Sequence, residues 1–355
     1  MRILITGACG FVGSSLAESL LERRPGVAII GLDNLMRSGA ETNRSRLRKL
    51  GVQLVHADIR LASDFENLPA ADWVIDAAAS PSVLAGVAGP LSSRQLFEHN
   101  LASLVNPLEY AKRHRAGFIL LSSSRVYSIS ALCALPLEVR GRAFQLDVSR
   151  PLPAGVSARG IGVGFSTAPP VSLYGGTKLA AEAVALEYGA AFNFPVWIDR
   201  CGVLAGAGQF GTPGQGIFSY WINAHLRRRP LRYIGFEGAG RQVRDALHPQ
   251  DLAALVEAQI NAPRSDGRRI YTTGGGQANA MSLAELTAWC DARFAPHAPA
   301  ADPTPRPYDV PWVIMDSADA EQDFAWRPEI ALEAVLDEIA RHAGQHPDWL
   351  ETSGV

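Results

Sequence analysis

The sequence predicts an α/β protein: a doubly wound parallel sheet followed by a smaller C-terminal subdomain. Two observations carry this expectation. Short Val/Ile/Leu-rich runs alternate with helical patterns through the first half, and the alternation weakens after about residue 205. Strands buried on both faces read as near-continuous apolar runs, and strand-helix alternation builds a parallel sheet. With 355 residues, 47% of them hydrophobic, the chain can bury a large core.

The elements follow in order. "RILIT" is the first strand, and a glycine-rich turn leads from it into the helix "FVGSSLAESLLERR". Phe11, Val12, Leu16 and Leu20 make one apolar stripe there, and Pro25-Gly26 stops the helix. "VAIIGL", "VQLVHA", "WVIDAA", "GFILLSS" and "PVWIDR" are the next five strands. Some 40 residues separate "VYS" from "SLYGG"; so long an insertion is expected to be a lid or specificity element, a surface excursion being the plainer alternative. Beyond residue 205 come the loop "GQFGTPGQGIF", the segment "GRQVRDALHPQDLAALVEAQI" leading into a helix, and helices between Pro-rich loops. The expected division is 1–205, with 241–270 returning to it, against 206–240 and 271–335.

Charge and cysteines narrow the class. Thirty-three Lys and Arg nearly balance 35 Asp and Glu, which gives no hint of nucleic-acid binding or an acidic-membrane footprint. Cys9, Cys133, Cys201 and Cys290 match no zinc or redox spacing. No apolar run reaches the roughly 18 residues that span a bilayer. A strand pattern begins at once, so no leader peptide and a cytoplasmic location are expected.

The first turn carries chemistry. "ILITGACGFVGSSL" sets Gly7, Gly10 and Gly13 between a strand and a helix that opens with Phe11 and Val12. Such glycines let backbone approach a ligand, and the helix N-terminus offers free N–H groups to a pyrophosphate. The spacing is G-x-x-G-x-x-G, a weak signal alone. Asp33 at the end of the second strand strengthens it, since a carboxylate there accepts from adenosine ribose hydroxyls and repels a 2′-phosphate. NAD is therefore expected over NADP, although Arg37 lies close by. Asn34, Asp58, Ile59, the run Ala77, Ala78 and Ala79 after the fourth strand, and Asn100 complete the expected cofactor surface.

The second centre is "SLYGGTKLAAE". Tyr174 and Lys178 are one helical turn apart and share a face. A phenol ordinarily ionises near pH 10, and a neighbouring ammonium favours the phenolate, which then serves as a base. The fifth strand ends in serines, where open α/β sheets bind ligands.

In this order the motifs resemble the extended short-chain dehydrogenase/reductase family, the NAD-dependent sugar-nucleotide epimerases and dehydratases, over nearly the whole chain. The resemblance implies a Rossmann-type fold and a retained NAD. It gives Ser123, four residues before Tyr127, the role of catalytic hydroxyl, with Tyr174 as base and Lys178 as its partner on the nicotinamide ribose. It gives Arg244 in "RQVRDALHPQD" and Arg306 in "RPYD" the substrate diphosphate. Related 4,6-dehydratases carry an Asp-Glu pair where this chain has Ser124 and Arg125, which argues against elimination and for epimerisation. "DNLMRSGAETN" and "GQFGTPGQG" are similar to stretches of CDP-paratose (CDP-tyvelose) 2-epimerases, implying inversion at C2 of a CDP-deoxyhexose, with Ser124, Arg125, Gln209 and Gln215 on the substrate side. Asp76, Ser128 and Val203 depart from the family pattern. A UDP-sugar 4-epimerase, a nucleotide-sugar reductase and an inactive NAD-bound scaffold are the rival readings. A homodimer through "LFEHNLASLVNPLEYAKR" and the Tyr174 helix is expected from the family.

Overall fold

The computed structural model describes residues 1–88, 91–262 and 267–355. Its elements run β1 (Arg2–Thr6), α1 (Phe11–Arg23), β2 (Ala28–Asp33), α2 (Asn43–Lys49), β3 (Gln53–His56), β4 (Trp73–Asp76), α3 (Ser93–Asn100), α4 (Val105–His114) and β5 (Gly117–Ser123). The stretch before the Tyr174 helix forms α5 (Ile129–Cys133), a hairpin of β6 (Leu137–Arg140) and β7 (Ala143–Leu146), and a short pair β8 (Val156–Ser157) and β9 (Gly160–Ile161). Then come α6 (Ser172–Phe192), β10 (Val196–Cys201), β11 (Val203–Leu204), α7 (Ile217–Leu226), β12 (Arg232–Ile234), β13 (Val243–Leu247), α8 (Pro249–Asn261) and β14 (Ile270–Thr273). The chain closes with β15 (Ala280–Ser282), α9 (Leu283–Arg293), β16 (Ala300–Asp302), β17 (Trp312–Val313), α10 (Ala318–Phe324), α11 (Leu332–Gln345) and α12 (Trp349–Thr352).

The large sheet has the order β14-β10-β5-β4-β1-β2-β3, with every neighbouring pair parallel. Alternation within β1 shows why: Ile3 and Ile5 join one core with Leu16, Leu20, Leu252 and Val256, while Leu4 joins the opposite core with Val74, Phe118 and Leu120. Both faces are thus apolar, and helices cover each. The chain steps outward from β1 to β3, then returns to β4 on the other side. This reversal opens a crevice between the turns after β1 and β4.

Several elements differ from expectation. The sheet has a seventh strand, β14, beyond the six named. The stretch expected as one helix over residues 96–113 is two, because Leu101 leaves helical geometry (φ −125, ψ −58) and Pro107 sits in the first turn of α4, where its missing N–H is harmless. Strand β13 lies in a smaller sheet with β11, β15 and β17, whereas α8 packs on α1 and β14 completes the large sheet. The insertion is a packed layer: Leu146, Ile161 and Phe165 bury against Trp312, Val313 and Ile314, and Ser282 Oγ donates to the carbonyl of Arg142.

One core group ties stability to pH. Asp199 on β10 is fully buried; it accepts from Gln259 Nε2 at 2.8 Å and its other oxygen has no partner among the described residues. Burial pushes its carboxyl from 3.8 up to about 7. A folded value above the unfolded one gives stability that is full at low pH and lost as pH rises through this window. Chemical denaturation across that window will show the wild type losing up to about 1.4 kcal/mol per pH unit relative to Asp199→Asn. Parallel stability curves for the two proteins would contradict this.

Candidate active site

The crevice is built first by glycines. Gly7 follows β1 with φ +64, and a Cβ there would lie 2.9 Å from Ala78 Cα and 3.0 Å from the Ala77 carbonyl oxygen. The turn after β1 is therefore pressed onto the loop after β4. Gly10 caps α1 and donates its amide to the Gly7 carbonyl at 3.0 Å. A Cβ on Gly13 would fall 2.2 Å from that same carbonyl oxygen. Only bare backbone fits here, so Phe11 and Val12 open α1 with amides that have no helical acceptor.

Asp33 stands at the rim. Its Oδ2 accepts from Cys9 N–H at 2.8 Å and its Oδ1 from Leu35 N–H at 2.8 Å. Each oxygen keeps capacity for a further donor. This cradle, with a half-buried carboxylate beside free helix amides, fits a dinucleotide's pyrophosphate and adenosine ribose.

The remaining expected cofactor residues take varied positions. Asn34 Nδ2 donates to Asp58, which Arg60 also grips at 2.6 Å, holding that carboxyl well below the usual range. Ile59 packs against the core. Arg37 reaches across to the Phe210 carbonyl at 2.6 Å and so joins the β2 edge to the glycine-rich loop. Ala78 donates its amide to Thr6 Oγ1, whose hydroxyl bonds Asp76; Ala79 follows in the same loop. Asn100 is nearly buried, and its amide holds both backbone groups of Ser80 and approaches Thr177 Oγ1. It shapes the loop after β4.

The proposed proton-transfer residues meet where α6 lies on β5. Ser123 ends β5, and its Oγ accepts from Arg125 N–H at 3.1 Å. Tyr174 and Lys178 are 5% and 4% exposed. Lys178 Nζ donates to the Leu121 carbonyl at 2.9 Å, while among the described residues none bonds the Tyr174 hydroxyl. Helix and strand can approach so closely because residue 175 is glycine: a Cβ there would stand 2.3 Å from the Arg125 carbonyl oxygen. Below this, Ser122 Oγ donates to Glu182, which pairs with Arg200 at 2.7 Å in a buried bridge. Burial pushes the Asp76 carboxyl up, and the Lys178 charge opposes that.

The substrate-side candidates gather on one short segment. Arg244 Nη2 pairs with Asp309 at 3.2 Å and donates to the Val310 carbonyl at 2.8 Å. Arg125 Nη1 reaches the Tyr308 carbonyl at 3.4 Å. Arg306 Nη2 donates to the Pro213 carbonyl at 3.0 Å, so this segment also fastens the glycine-rich loop. In that loop Gln209 Nε2 donates to the Leu204 carbonyl, and the Oε1 atoms of Gln209 and Gln215 are buried without partners among the described residues. Ser124 is buried at the turn.

Sequence reasoning missed three participants. Gly175 was visible in "YGG" but its contact lies across the fold. Asp309 was visible three residues after Arg306, and its pairing with Arg244 was not. Asp76 stood out as a departure with no stated partner; Thr6 and Lys178 are those partners.

The sequence model of the NAD dependent epimerase/dehydratase family matches residues 3–274. CDP-paratose 2-epimerase of Salmonella typhi is 28% identical over 306 residues, covering 81% of this chain and 82% of that protein. A UDP-glucose 4-epimerase structure from Thermotoga maritima, solved with UDP-glucose, superposes with TM-score 0.77 at 20% identity, covering 97% of this chain and 99% of that one. UDP-glucuronic acid 4-epimerase from Bacillus cereus, solved with UDP-glucuronic acid and NAD, gives TM-score 0.73 at 22% identity over 97% and 99%.

Gly13→Ala is expected to leave the protein folded and to remove bound NAD, since its Cβ needs the space of the Gly7 carbonyl. Cofactor content of the purified variant by absorbance after acid release checks this; full NAD occupancy would refute it.

Proposed function

Because the chain belongs to the NAD dependent epimerase/dehydratase family, we propose that it is an NAD-dependent nucleotide-sugar epimerase that inverts C2 of a CDP-activated deoxyhexose through a transient ketosugar. The observation that carries this reading is the meeting of Ser123, Tyr174 and Lys178 on one helix-strand seam beside the glycine cradle. NAD, when bound, supplies a hydride acceptor and donor beside the sugar carbon. Gly7, Gly10, Gly13 and the first amides of α1 would hold its pyrophosphate, and Asp33 its adenosine ribose.

The protein's own groups do the rest. Tyr174 takes the proton from the reacting hydroxyl and later returns it. Ser123 donates a hydrogen bond to the oxygen on which negative charge grows. Lys178, fixed by the Leu121 carbonyl, keeps a cation beside the phenol. Arg244 and Arg306 hold the diphosphate, because guanidinium forks suit phosphate oxygens. Ser124 and Arg125 supply no acid-base pair for eliminating water, which favours epimerisation over dehydration. The CDP base, the deoxyhexose and C2 are supported by the similarity to the CDP-paratose 2-epimerase.

No helix among the described residues is long and apolar enough to cross a membrane. A cytoplasmic homodimer completes the reading; exposed Phe97, Val105 and Phe192 on α3, α4 and α6 support pairing through those helices.

Tyr174→Phe is expected to abolish epimerisation while NAD stays bound. NMR of CDP-sugars incubated with each protein reads the first, and released cofactor reads the second. Turnover near the wild-type rate in the variant would mean another base.

A further inference from the structure

Arg125 is an anomaly among the charged groups of the site. It is half-buried and lines a narrow cavity with Val83, Tyr127, Ser172, Tyr308 and Val310. Its one hydrogen bond is the long contact to the Tyr308 carbonyl, and no carboxylate among the described residues pairs with it. Burial pulls its guanidinium down to about 10, and Arg244 and Arg306 add to that pull. A half-buried cation that no carboxylate contacts directly favours a bound anion.

The surroundings say where that anion sits. Residues 306–310 bring together Arg306 itself, Arg125 through Tyr308, and Arg244 through Asp309 and Val310. Three guanidinium groups share this corner with Asp309, and Arg244 also feels the buried Asp245, so the cluster keeps a net positive charge. The diphosphate of a nucleotide sugar is an anion that suits it. Of the three arginines, Arg125 alone is anchored on the catalytic strand: it lies two residues after Ser123, and its carbonyl bears on Gly175 beside Tyr174. An anion held by Arg125 therefore lies next to the reacting carbon. In a nucleotide sugar the phosphate is bonded to C1, so C2 is the adjacent carbon, whereas C4 lies across the ring.

We propose that Arg125 binds the phosphate bonded to the sugar's anomeric carbon and thereby presents C2, rather than C4, to Ser123 and Tyr174. This rests on the nucleotide-sugar epimerase reading and adds to it a residue that selects the carbon.

The test compares NAD-loaded wild type, Arg125→Met and Arg125→Lys by calorimetric titration with CDP and with CMP, which lacks the second phosphate. Arg125→Met is expected to weaken CDP binding roughly tenfold or more and to leave CMP binding nearly unchanged, with Arg125→Lys in between. Normal NAD content and melting temperature verify that the variants fold. Equal CDP affinity in wild type and Arg125→Met overturns the proposal, as does an equal loss for CDP and CMP. Unchanged CDP affinity with weakened UDP-glucuronate binding would overturn it in favour of a sugar carboxylate. On the wild type, NMR of CDP-paratose is expected to show inversion at C2; inversion at C4 alone overturns the proposal. Binding is read without turnover, so a missing CDP contrast and a missing epimerase activity remain separate failures.

Discussion

A backbone contact governs the site: the Arg125 carbonyl oxygen occupies the space a side chain on residue 175 would fill. Because that residue is glycine, α6 settles directly on the turn that leaves β5. Every nearby bond depends on this approach. Lys178 reaches the Leu121 carbonyl, and Ser122 reaches Glu182. The Glu182–Arg200 bridge below is buried on both sides, so its worth lies in fixing geometry more than in net stability. Further bonds run outward from Tyr174. Its carbonyl accepts from Thr177, Asn100 approaches Thr177 and grips Ser80, and the loop after β4 bears on Gly7. The cradle and the Ser123–Tyr174–Lys178 seam are thus joined by one run of contacts.

Charge is distributed over this framework with a clear division. Near that seam, Lys178 is fixed on the Leu121 carbonyl and acts electrostatically on the buried Asp76. On the far side, Asp309 offsets only part of the arginine cluster. The Arg125–Arg244–Arg306 corner is left electropositive. This polarity suits a ligand with an anionic tail. It also explains why the glycine-rich loop is fastened by arginines from both halves, Arg37 at Phe210 and Arg306 at Pro213. A carbonyl is a weaker partner than a phosphate for either guanidinium.

Much of this was legible in the chain. Near-continuous apolar runs located six strands, since strands buried on both faces leave little room for polar residues. The glycine turn, Asp33 and the Tyr174–Lys178 spacing were readable because each is local. What was hidden depends on distance along the chain. β14 is four residues long and follows a break in the strand-helix alternation, so its place in the large sheet rests on pairing with β10 rather than on the pattern. The break at Leu101 sits beside Asn100, whose partner Ser80 lies across the fold. The insertion gave no sign of its packing, because Ile161 and Phe165 find their partners in residues 312–315. Asp309 and Gly175 were visible as letters, but their partners, Arg244 and the Arg125 carbonyl, lie 65 and 50 positions away.

The seam itself can be tested by adding one methyl group. Gly175→Ala forces α6 and the turn after β5 apart, while the glycine cradle and Asp33 are untouched. The decisive measurement is kcat of this variant on the nucleotide sugar that the wild-type protein epimerises. A fall of roughly a hundredfold, with NAD still bound, is the predicted result. A rate equal to that of the wild type would mean that the close approach of Tyr174 to the Ser123 turn does not set the chemistry.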